Sequence, residues 1–108
     1  MKLPLALLLT GAALLQSASP QSVSGVITES ECTDANHSLM RMGDTDAECA
    51  KACVDSHGAT WLLFDGKQAW ALSDQKTPAE FAGKRVVVTG SVDPKAKKIA
   101  VQSIAPSK

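Results

Sequence analysis

The sequence predicts a mainly β fold: a small five-stranded barrel with a cysteine-bearing helix between strands one and two and a short helical turn between strands three and four. Three observations carry this expectation. Residues 59–72 are two apolar runs separated by Asp65-Gly66, a preferred hairpin turn because both central residues need positive φ. Two valine- and isoleucine-rich runs near the C-terminus flank the turn former Asp93-Pro94. Between the first strand and the hairpin, Thr45-Asp-Ala-Glu48 reads as a capping box opening a helix.

Before the fold comes a segment with another purpose. Met1-Lys2 is a positive start, Leu3 to Leu15 is apolar apart from Pro4, Thr10 and Gly11, and Gln16 to Pro20 is small and polar. This is the pattern of an export signal, with cleavage expected after Ala18. A membrane span needs about 20 apolar residues and this run is too short. No cysteine sits at the junction, which argues against a lipoprotein. The expected organisation is a signal peptide over 1–18 and a single domain over 19–108, with residues 29–58 as an insert.

The elements follow in order. The first strand is expected over Val23 to Thr28, with Gly25 at a point where a strand can bend or bulge. Glu29 to Gly43 is polar and has no clear period. The helix should run from about Asp46 to Ser56 and stop before Gly58. A two-residue turn at Asp65-Gly66 would pair Leu63 with Gln68 and Trp61 with Trp70, placing both tryptophans on the face of Leu63 and Leu72. Thr77-Pro78 to Gly83 reads as a helical turn with Thr77 as its cap. Strand four is Lys84 to Val92, with Val86, Val88 and Val92 on one face, and strand five is Lys98 to Ile104. The tail from Ala105 to Lys108 should be frayed. Five strands with a helix between the third and fourth is the order of an OB-fold barrel. A five-stranded open sheet with the cysteine-bearing helix on one face is the alternative.

Phe81-Ala-Gly-Lys-Arg-Val-Val-Val-Thr-Gly-Ser-Val92 and Ile99-Ala-Val-Gln-Ser-Ile104 resemble the C-terminal strands of small exported bacterial OB-like proteins. Gly25-Val-Ile-Thr-Glu-Ser-Glu-Cys32, His37, Glu48-Cys49, Cys53-Val54 and the Asp65-Gly66 hairpin are similar to one group of them, a group without an assigned function. The resemblance implies the barrel and the export. It implies no activity and no role for His57.

Charge narrows the partners. After removal of Lys2, ten basic residues face eleven acidic ones, which argues against nucleic acid and anionic membranes. Within 26–55 seven acids oppose only Arg41 and Lys51, and this acidic half holds all three cysteines.

Cys32, His37, Cys49 and Cys53 have the spacing C-x4-H-x11-C-x3-C. Cys49 and Cys53 would lie one turn apart on one helix face. Three sulfurs and an imidazole suit tetrahedral zinc. Adding the thioethers of Met40 and Met42 would favour Cu(I); the alternative is that both are apolar lids over the cluster. The competing expectation is a disulfide from Cys32 to Cys49 or Cys53, stabilising by about 3 kcal/mol and leaving one thiol over. A thiol-redox protein is the third, although C-x3-C is not the redox spacing. His57 lies four residues after Cys53, where it either joins that face or complements the helix dipole. Trp61 and Trp70 are a ligand-stacking face or a core pair.

No nucleophile elbow surrounds Ser30, Ser38, Ser56 or Ser73, and no Gly-rich phosphate loop is present. The expectation is therefore an exported, periplasmic or secreted, non-enzymatic domain that binds zinc or copper through its insert. Its partners would be a metal ion or an unknown protein, with no nucleic acid and no membrane after signal cleavage.

Overall fold

Among the described residues, apolar and β-branched runs bounded by turn formers lay down five strands: β1 (Gln21–Glu29), β2 (Trp61–Phe64), β3 (Ala69–Leu72), β4 (Arg85–Asp93) and β5 (Lys98–Pro106). The computed structural model describes residues 19–107. The expected signal segment, 1–18, lies outside them. The strands close in the order β1-β2-β3-β5-β4, all neighbours antiparallel except β3 and β5. Closure is uneven, because the parallel seam has only two residue pairs, Ala71 with Lys98 and Leu72 with Ile99. Ser73 reinforces it: its hydroxyl accepts from the Val101 amide at 2.8 Å and its own amide donates to Ile99 at 3.1 Å.

β1 is shared between two partners. Its first part pairs with β4 and its last part with β2, and Val26 belongs to both ladders. Gly25 sits at this handover, where a β-carbon would collide with the Phe64 carbonyl. The glycine is needed for close approach; no bulge occurs there. The bulge lies instead opposite β4, at the Thr89/Gly90 register shift, where Gln102 of β5 is left without a partner. The extra residue reverses the side-chain alternation of β5, so that Ile99, Val101 and Ile104 all pack on the core. β5 also runs past Ile104. Ala105 and Pro106 pair with Val87 and Val86, so the expected frayed tail is a strand end.

The one α-helix among the described residues, α1 (Asp46–His57), lies between β1 and β2. The Thr45 hydroxyl accepts from the Glu48 amide at 3.1 Å, while the Glu48 carboxylate reaches back to the Asp44 amide at 3.0 Å. Gly58 ends the helix in the left-handed region at φ 69. Ala50 packs into the barrel core, and Cys49 and Cys53 face the loop before the helix. A short 3-10 helix, Thr77–Phe81, follows β3 with Pro78 in its first turn. Thr77 is not its cap as expected: Asp74 Oδ1 accepts from the Lys76 and Thr77 amides at 2.9 and 3.0 Å.

The β2–β3 hairpin departs from the expected register. Leu63 pairs with Trp70 and Phe64 with Ala69, so the loop is Asp65 to Gln68 and the tryptophans are not direct partners. The reason is Asp65. Its Oδ1 accepts from the Lys67 and Gln68 amides, both at 2.8 Å, and its Oδ2 accepts from Trp70 Nε1 at 2.9 Å. These bonds, led by that of Gln68, hold its carboxyl below the usual carboxylate range. Asp65→Ala leaves the buried indole N–H without a partner and should cost about 2–3 kcal/mol in urea unfolding. Because the folded pKa is lowered, the contribution is complete above the ordinary carboxylate range and fades as pH falls through the lowered value. Asp65→Asn should flatten that acid dependence; an unchanged acid slope would assign it elsewhere.

Candidate metal centre

The loop from Glu29 to Gly43 is a run of tight turns. The Cys32 amide donates to the Glu29 carbonyl at 3.1 Å and the Ala35 amide to the Cys32 carbonyl at 2.9 Å, with Ala35 at φ 63. Asp34 and Asn36 each accept from the amide two residues on, at 3.0 Å. The buried Thr28 hydroxyl donates to the Cys32 carbonyl at 2.7 Å and ties the first turn to β1. This chain of turns replaces the periodicity the sequence lacks, and it turns His37 inward.

Its result is a buried group of three unlike donors. Glu29 is fully buried, His37 is 3% exposed and Cys32 is 6% exposed. One ligand atom from each lies within 4.8 Å of the others. Glu29 Oε1 accepts from the Glu31 amide at 2.7 Å. Its Oε2 has no hydrogen-bond partner, and neither has His37 Nδ1. These two atoms are 3.9 Å apart, too far for a direct hydrogen bond. Burial pushes the Cys32 thiol up to about 11, with the Glu29 charge adding to it. At neutral pH that sulfur is therefore a thiol, and a cation would have to displace its proton.

The four expected ligands do not converge in one set. Cys32 and His37 come together, with Glu29 as their third member. Cys53 belongs to a second group with Glu31 and His57, again within 4.8 Å. Here His57 Nδ1 and Glu31 Oε1 are 2.8 Å apart, with side chains 40% and 30% exposed. Hydrogen bonding from His57 is the main cause of a lowered Glu31 pKa. Cys53 is pushed up to about 12, first by burial and then by the Glu29 charge. Cys49 belongs to neither group. Its thiol donates to the Met40 carbonyl at 3.2 Å and its sulfur accepts from the Met42 amide at 3.3 Å, which pins the loop to the helix.

The methionines serve different ends. Met42 Sδ accepts from the Cys53 thiol at 3.7 Å, whereas the Met40 side chain is 41% exposed. All three cysteines are free, so the expected bridge from Cys32 to Cys49 or Cys53 is not formed. Each sulfur is engaged by burial and by its own neighbours instead. Trp61 and Trp70 are 3% and 6% exposed within the core cluster, with Leu63 and Leu72, and offer no open stacking face.

Glu29 and Glu31 are the donors that sequence reasoning passed over. A signal for Glu29 exists: Val23, Gly25 and Ile27 set an inward alternation that Glu29 continues at the barrel end. No local pattern marks Glu31, whose neighbours arrive from the far end of α1. Compared with known protein families, curated proteins and solved structures, the chain matches none.

Proposed function

We propose that this is an exported, OB-like, non-enzymatic domain that holds a transition-metal ion, preferentially zinc, at Glu29, Cys32 and His37. Export rests on the Met1–Ala18 pattern. The OB-like reading is supported by the closed strand order and by the 3-10 helix between β3 and β4, the place of the OB-fold helix. One observation carries the metal reading: the orphaned pair Glu29 Oε2 and His37 Nδ1, buried side by side next to a thiol. A buried polar atom without a partner costs roughly 1–3 kcal/mol, and one cation coordinated by both removes two such costs.

The donor chemistry favours zinc. Zinc takes carboxylate oxygen, imidazole nitrogen and thiolate sulfur together, at about 2.0–2.3 Å in a tetrahedron. Such bonds bring donors to roughly 3.3–3.8 Å of one another, a small contraction of the present group. Cu(I) selects soft donors, and the carboxylate is hard. The His37 and Glu29 side chains are 1% and 0% exposed, which suits holding an ion better than presenting it to a substrate. A raised thiol pKa is also opposite to what a redox cysteine needs. A bound ion would keep Cys32 from oxidative pairing in an oxidising compartment.

The test is elemental analysis with thiol counting on protein prepared without reductant. One equivalent of zinc that survives dialysis against a mild chelator, and that is lost in His37→Ala, is expected. No thiol should react with an aromatic disulfide reagent in the native protein and three should react after unfolding. One thiol and no metal would replace this reading with the disulfide-pinned module.

A further inference from the structure

We infer that Glu31, Cys53 and His57 form a second zinc-class cation site, exchangeable with solvent, at the entrance to the buried one. The group is built from two directions. Cys53 and His57 are four residues apart on the last turns of α1 and so share one face, while Glu31 comes from the turn after β1. Carboxylate, thiol and imidazole again lie within 4.8 Å of one another, the same donor set as the buried group. A plain helix-end ion pair between His57 and Glu31 would need no sulfur. Here the fully buried Cys53 closes the group from beneath, below two half-exposed side chains. A cation would take the place of the hydrogen between His57 Nδ1 and Glu31 Oε1, the neutral ring then carrying its hydrogen on Nε2, and the Cys53 proton would leave to solvent as the metal–sulfur bond forms.

The two groups are neighbours. Glu31 donates its amide to the Glu29 carboxylate at 2.7 Å, and the Glu29 charge acts on both Cys32 and Cys53. Glu31 and Cys32, one donor from each group, are neighbours in the lining of one surface pocket of about 350 Å³, together with Asp34 and Asn36. A hydrated ion cannot reach Glu29 and His37 directly from solvent, since both are closed off. It can meet Glu31 and His57 first. This entry role rests on the buried site proposed above; the outer site itself does not.

The test titrates reduced, chelator-treated protein with Zn²⁺ alone, by calorimetry, and with Co²⁺ alone, by its thiolate charge-transfer absorption. Wild-type protein should bind two equivalents. His57→Ala and Glu31→Gln, both at partly exposed positions and checked for folding by circular dichroism, should bind one. That one should load more slowly than in wild type. His37→Ala should keep one equivalent, released quickly to a chelator. Wild-type binding of a single equivalent that survives His57→Ala and Glu31→Gln overturns the outer site and leaves the buried one standing. A count lowered by His57→Ala but untouched by His37→Ala supports the outer site and overturns the buried one. Loading of the buried site at the wild-type rate in His57→Ala overturns the entry role.

Discussion

Zinc-saturated protein is expected to melt at least about 15 °C above chelator-treated protein, and Glu29→Gln should remove most of that gap. The size follows from mass action. An ion present at about a thousand times its dissociation constant stabilises the folded state by roughly 4 kcal/mol, and each kcal/mol moves Tm by about 4–8 °C in a domain of this size. Glu29 is the group to change because its carboxylate is fully buried with Oε2 unpartnered. Glutamine keeps the shape and the acceptor for the Glu31 amide but removes the anionic donor. Without metal, the variant should be as stable as wild type or more so, since an isolated buried carboxylate is costly. Thermal melts of both proteins, with and without Zn²⁺, decide the matter. A Glu29→Gln protein that is weaker without metal yet gains the full zinc shift would show that Glu29 is a structural acid and not a ligand.

Gly25→Ala should destabilise the domain by about 3 kcal/mol or more, a large share of the total for a small domain. The added β-carbon meets the Phe64 carbonyl and, behind it, the Leu63 side chain. It can be relieved only by parting β1 from β2 at the handover between the two ladders. Gly66→Ala is the comparison. Its added carbon meets open space, and only the positive φ of 102 opposes it, at a cost of about 1–2 kcal/mol. Urea unfolding measures both. Equal losses at the two positions would mean that the Gly25 contact relaxes and that the strand handover is not tightly specified.

Local sequence signals specify structure where the bonded partner lies within a few residues. Thr45, Glu48 and Gly58 delimit α1 within one residue of expectation because capping joins atoms three or four positions apart. The five strands and their order along the chain are legible from apolar and β-branched runs and the turn formers between them. The hairpin register was not. Asp-Gly points to a two-residue turn, but the Asp65 carboxylate also bonds Gln68 and the Trp70 indole and opens the loop to four. The Gln102 bulge leaves no mark in composition either, because it exists only as a mismatch with β4.

The candidate site divides in the same way. Composition and spacing draw attention to Cys32, His37, Cys49 and Cys53, since few other residues here bear metal chemistry. They imply one set of four, whereas the structure parts these residues between two groups and leaves Cys49 in neither. Helical spacing places Cys49 and Cys53 on one face, but a face is not a point, and Cys49 spends its sulfur on the backbone at Met40 and Met42. Residue type and spacing alone account for the mainly β chain, the capped helix and the chemistry-bearing residues of the insert. Which of those residues meet was decided only by the tertiary structure. A run of tight turns brings His37 back to Cys32 and Glu29, whereas Cys53 and His57 of α1 reach Glu31 only by closure of the chain, over separations that no local pattern encodes.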